Sequence, residues 1–159
     1  MAGVVLFGAA ERRVQGMDGL FWQLSWDEWQ VIAPMERLQP GSPEINVAEF
    51  LAALLTCETF ASLCSGACTL LSLDNRAAKC WFDAARCPVH PFDRCAQGVH
   101  LFLLSRLVKI RSRWIPKGEN RQPDICSSLR MSMKAHRHRI SGLWLRKVRP
   151  KWINVLKYL

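Results

Sequence analysis

Between residues 47 and 55 the apolar side chains fall at Val47, Phe50, Leu51, Leu54 and Leu55. This is the i, i+3, i+4, i+7, i+8 spacing of one face of an α-helix. A stripe of that width must be covered by other elements, which makes this helix the most secure element of the chain. Asn46 is placed to cap the helix, and Glu49 three residues later to complete a capping box. The pattern fades at Ser65-Gly66. Before it, the β-branched and aliphatic segment Val4 to Ala10 predicts a strand, as do Leu20 to Ser25 and Trp29 to Ala33, with glycines at the first turn. After it come a predicted buried strand from Ala67 to Leu73 and helices over Arg76 to Ala85 and Phe92 to Leu107. A strand over Val108 to Ile115 and a short helix opening at Pro123 complete the order. Three strands, a helix, a strand, helices, a strand and a helix predict an α/β domain that opens with an antiparallel meander.

At 159 residues the chain suits one domain with a real core. No apolar run approaches the roughly 20 residues of a membrane-spanning helix, and Val4-Val5-Leu6-Phe7 lacks the basic flank of a signal peptide. Seven cysteines without a secretory signal point to reduced thiols in an intracellular protein, cytoplasmic or nuclear. Nine of the 22 Lys and Arg fall within Leu129 to Leu159, which contains no acid; the remaining 13 equal the 13 Asp and Glu. The whole net charge of +9 therefore lies in the last 31 residues. Residues 1–128 read as the domain and 129–159 as a basic C-terminal extension. There Lys134, Arg137, Arg139, Arg146, Lys147, Arg149 and Lys151 interleave with Trp144 and Trp152. Such a strip suits phosphates and exposed bases; a solvated helix face is the plainer account.

Three acidic signatures recur where one predicted element meets another. They are Ile45-Asn46-Val47-Ala48-Glu49, Leu73-Asp74-Asn75, and Trp114-Ile115-Pro116 followed by Glu119-Asn120 and Asp124. Each has a local explanation: Glu49 as a cap, Asp74-Asn75 as a strand-to-helix cap, Asp124 as first-turn charge favoured by the helix dipole. Taken in order, they resemble the RNase H domain that trails the reverse transcriptase of retroelements, most closely the tyrosine-recombinase retrotransposons. The resemblance spans roughly residues 4 to 128. It implies an RNase H-like mixed five-stranded sheet flanked by helices and an RNA–DNA hybrid as substrate. It also implies Glu49, Asp74 and Asp124 as catalytic carboxylates that ligate Mg²⁺. Two such ions activate water and stabilise the leaving oxygen in phosphodiester hydrolysis. Single-stranded nucleic acid and the polymerase part of a retroelement polyprotein are the other implied partners; no membrane is implied.

The chain departs from that family on its first strand. The family has an aspartate after a short hydrophobic strand, where this chain has Gly8-Ala9-Ala10-Glu11 after Leu6-Phe7. Gly8 or Ala9 then holds the metal-bridging position. Glu11 reaches the same side if the strand continues, and Asp18 is a poorer substitute. The resemblance thus implies a degenerate copy with weak or lost hydrolysis. Separately, Cys87, His90, Cys95 and His100 have the spacing of a zinc knuckle with permuted ligands. A helix through Phe92 to Leu107 would hold Cys95 and His100 at an awkward i, i+5 angle.

Overall fold

The structure is a computed structural model describing residues 1–25, 27–28, 44–128 and 132–157. Its elements are β1 (Ala2–Leu6), α1 (Ala9–Gln15), β2 (Gly19–Gln23), α2 (Glu44–Cys64), β3 (Cys68–Leu73) and α3 (Arg76–Asp83). There follow α4 (Phe92–Ser105), β4 (Lys109–Trp114), a 3-10 turn (Lys117–Glu119), α5 (Arg121–Ser128), β5 (His138–Ile140), β6 (Leu143–Lys147) and α6 (Ile153–Leu156). The expected α/β class holds. The strand expected over Trp29 to Ala33 lies outside the described residues.

The strands form two sheets where a single five-stranded one was expected. One has the order β1-β2-β6-β5 and the other pairs β3 with β4. In the first, β1 runs antiparallel to β2, β2 parallel to β6, and β6 antiparallel to β5. In the second, β3 and β4 run parallel in the register Cys68↔Lys109 to Leu73↔Trp114, with α3 and α4 as the crossover. Strand β1 and strand β3 are each the end of a sheet. Both line one cleft of about 730 Å³, with Ala52, Ala53 and Thr56 of α2 also contributing to its wall.

The C-terminal segment departs from the expected free extension. Its strand β6 is a neighbour of β2, and Ser141-Gly142 makes the two-residue turn of the β5–β6 hairpin with positive φ at both positions, 48° and 81°. Two consecutive left-handed residues match the twist of flanking strands, and glycine takes the second without strain. Leu145 and Ile140 join Phe21 and Cys126 in a small core beneath α5.

Helix α2 is buried on nearly all sides, where the sequence had suggested one apolar face. Val47 to Leu55, apart from the partly buried Glu49, and Cys57 to Ala61 are buried. The first sheet, α3, α4 and α6 all contact it, which leaves little of its length for water. It is long and apolar enough over Ile45–Cys64 to cross a membrane, contrary to the reading that no such run exists, but most of that stretch is covered by this fold. Because α2 begins at Glu44, Asn46 and Glu49 lie within the helix, and neither caps it. At its other end Gly66 takes φ 73°, and its N–H donates to the carbonyl of Leu107. Strand β2 is likewise covered on both faces, Leu20 and Trp22 in the core around α2 and Phe21 in the one beneath α5.

Candidate acidic cleft and basic surface

Asp74 stands one residue beyond β3, and Asn75 is the N-cap of α3, its side-chain oxygen accepting from the N–H of Ala78 at 2.9 Å. The capping role considered for Asp74-Asn75 thus falls to Asn75 alone. The Asn75 amide also donates to Oδ1 of Asn46 on α2 at 2.8 Å. That bond ties the strand end carrying Asp74 to the first turns of the helix carrying Glu49. Sequence reading missed Asn46 as a positioning residue, because its place before an apolar run looked like a helix cap.

Asp124 lies in the first turn of α5, as expected, with its N–H donating to Asn120. The three carboxylates come from separate elements and act on one another. Burial pushes the Glu49 carboxyl above its ordinary range, and the charges of Asp74 and Asp124 push the same way against the Met1 ammonium and Lys117. Asp124 is also raised, by partial desolvation and then by Asp74, with Lys117 opposing. Glu49 and Asp74 line the cleft between β1 and β3, together with Gly8, Glu11, Glu119 and Asn120.

The first-strand position differs from the sequence expectation. Strand β1 stops at Leu6, and Ala9 is already the first residue of α1. Gly8 is the N-cap of α1 and faces the cleft; Glu11 reaches the cleft from the helix, not from a continued strand. Asp18 is engaged elsewhere, accepting from the N–H of Trp144 at 2.8 Å and pairing with Arg12 at 3.8 Å.

Among the described residues no three metal-ligating side chains stand close enough to share an ion, and no carboxylate occupies the Gly8 position. The zinc spacing likewise forms no group. Cys95 is fully buried, its thiol pushed up to about 12 by burial and directed at the carbonyl of Val155 at 3.5 Å. His90 pairs with Asp93, and His100 contacts the carbonyl of Ala96 and the ring of Phe82.

The basic residues of the C-terminal segment divide by position. The Arg137 guanidinium lies 4.5 Å from the centroid of Trp144 and Arg139 5.9 Å from it, with Arg139 and Trp144 directly paired across β5 and β6. Trp144 keeps 38% of its surface exposed. Lys134, Arg149 and Lys151 are exposed, Arg146 and Lys147 partly buried, and Lys147 donates to Gln23. Trp152 packs against the main core, so its ring is not presented as Trp144 is.

Comparison with protein-family models, curated proteins and solved structures finds no match to the chain.

Proposed function

We propose that this chain is a retroelement-derived RNase H-like domain that binds nucleic acid, an RNA–DNA hybrid foremost, and cleaves it weakly or not at all. The observation that carries the reading is that Glu49 and Asp74 line one cleft, with the charges of Asp74 and Asp124 raising the Glu49 carboxyl and Asp74 raising that of Asp124. Glu49 and Asp124, both held above their ordinary range by burial and by acidic neighbours, are a costly arrangement with no packing purpose. The glycine at the first-strand position accounts for impaired hydrolysis, since two-metal chemistry depends on carboxylates that hold the ion spacing. A retroelement polymerase is the corresponding protein partner.

A second reading, a non-enzymatic nucleic-acid-binding protein, is favoured by the exposed Trp144 flanked by Arg137 and Arg139. The test combines binding and cleavage of a labelled RNA–DNA hybrid by the full chain, with Mg²⁺ and with chelator. Hybrid bound in preference to single strands, with little cleavage, supports the first reading. Equal binding of every nucleic acid, insensitive to Asp74→Asn, favours the second. Rapid Mg²⁺-dependent cleavage overturns the impaired site, and absence of binding overturns both.

A further inference from the structure

We propose that the exposed face of β3 and β4 is a track for the sugar–phosphate backbone of a nucleic-acid strand, leading to the acidic cleft. The inference rests on the nucleic-acid reading above and adds a site outside the C-terminal segment. Strand β4 reads Lys-Ile-Arg-Ser-Arg-Trp. Alternation puts Lys109, Arg111 and Arg113 on one face, all three exposed. Ile110 and Ser112 turn the other way, Ile110 into the core and Ser112 to donate to the carboxylate of Asp83 on α3.

Register places Cys68, Leu70 and Ser72 of β3 beside the three cations, so this face carries no acid. Leu70 is 54% exposed. Arg113 is held along the sheet by donating to Ser72 at 2.9 Å. Successive cations on the face are separated by two residues, about 6.6 Å of rise. A straight row of like charges at regular intervals suits a linear polyanion, whose condensed counterions it would release.

The row also has a direction. One residue past Arg113, Trp114 pairs in register with Leu73, and its indole N–H donates to the carbonyl of Asp74 at 3.0 Å. Arg76 stacks on the Trp114 ring at 4.4 Å, and the ring remains 39% exposed. Trp114 belongs to the face opposite the three cations and closes that end of the sheet; because β3 and β4 run parallel in register, a strand lying along the row reaches the end of β3 where Asp74 stands. Lysine and arginine on an edge strand also deter edge-to-edge aggregation, a role that any charge fulfils equally well.

That difference sets the test. Lys109→Glu, Arg111→Glu and Arg113→Glu are combined in the full chain, which keeps the edge charged but reverses its sign. Arg111→Glu alone is the milder variant should the triple change disturb folding by circular dichroism, and Arg94→Glu, an exposed change on α4 that alters net charge equally, is its control. Binding of labelled oligo-dT and of an RNA–DNA hybrid is titrated against salt. The triple variant is expected to bind at least about tenfold more weakly at low salt, with a salt slope smaller by about 2 for three lost single-strand contacts. Arg111→Glu should move affinity and slope in the same direction, and Arg94→Glu should leave the slope unchanged. Unaltered affinity and slope in a folded triple variant, with the parent binding well, overturn the track and leave the nucleic-acid reading standing. If the parent binds neither ligand at low salt, the nucleic-acid reading itself falls, and the track with it.

Discussion

The carboxylate of Glu58, in the middle of α2 and only 3% exposed, accepts a hydrogen bond at 3.2 Å from the backbone N–H of Val155, 97 residues away. This N–H belongs to the first turn of α6, where no helical partner exists for it. One residue further along α2, the Thr59 hydroxyl accepts from the N–H of Lys151 at 2.9 Å. The C-terminal segment is thus anchored to the most buried helix of the fold. Glu58→Ala should cost about 1–3 kcal/mol, since it strands a buried donor. Glu58→Gln, which retains an acceptor, should cost less. Chemical denaturation of the two variants checks the order. Residues 1–128 alone lack β6, Leu145 and Val155, so they should lose the cooperative unfolding of the full chain. A sharp transition in that fragment would contradict the anchoring.

Gly3 faces Trp22 across the β1–β2 pair, and Trp22 donates to the Thr56 hydroxyl at 3.1 Å. A methyl group on Gly3 would lie 2.1 Å from that hydroxyl and 2.2 Å from the indole nitrogen. Gly3→Ala must therefore displace one of them, breaking a hydrogen bond of a fully buried tryptophan. The expected loss is about 1–3 kcal/mol, as for other overpacked sites, with a change in Trp22 fluorescence. Gly118→Ala, where a methyl group meets nothing within 4 Å, is the matching neutral control.

The parts of the fold legible in the sequence are those whose signal is local. The apolar spacing of Val47 to Leu55 located α2, and the alternation from Val108 to Ile115 located β4 with one wet face. The burial of α2 on nearly all sides was not legible, because periodicity over a few turns cannot count how many elements will pack around a helix. The β5–β6 hairpin was missed although its signals were present: Ile140, Leu143 and Leu145 as apolar residues and Ser141-Gly142 as a turn. The density of Lys and Arg around them dominated the reading. The end of β1 at Leu6 was obscured by a run of small residues compatible with strand or helix. The order of Glu49, Asp74 and Asp124 is readable in the sequence; the tie through Asn46 and Asn75 between the helix of Glu49 and the strand end of Asp74 depends on tertiary approach.

Glu49 should make stability fall as pH rises. Its folded-state pKa lies above the ordinary glutamate value of 4.5 because burial and the charges of Asp74 and Asp124 disfavour the anion. Between the unfolded and folded pKa values the native state holds more protons, so unfolding free energy decreases with pH across that window. Below it Glu49 is protonated in both states and contributes nothing to the difference. Glu49→Gln should therefore be more stable than the parent above the window and converge with it below. Denaturant melts at a series of pH values check this. Asp74→Asn should move the Glu49 titration downward, observable as carboxyl carbon shifts in NMR spectra. A Glu49 titration unmoved by Asp74→Asn would show that the two groups do not share a site.

The Arg137, Arg139 and Trp144 cluster is expected to bind single strands by a different balance of forces from the row on β4. Here the exposed ring sits beside two guanidinium groups, 4.5 and 5.9 Å from its centroid. An unpaired base stacking on that ring would gain from both the π-face and the adjacent cations. Trp144→Ala should weaken oligo-dT binding by about 1–3 kcal/mol and leave its salt slope nearly unchanged, because no charge is lost. Arg137→Glu and Arg139→Glu should instead lower the slope, by about 0.7 for each lost phosphate contact. Trp152 supplies the internal comparison, being packed against the main core. Trp152→Phe should lower thermal stability with little change in affinity. Equal affinity losses in folded Trp144→Ala and Trp152→Phe proteins would mean that binding tracks stability, and that Trp144 is not a stacking platform.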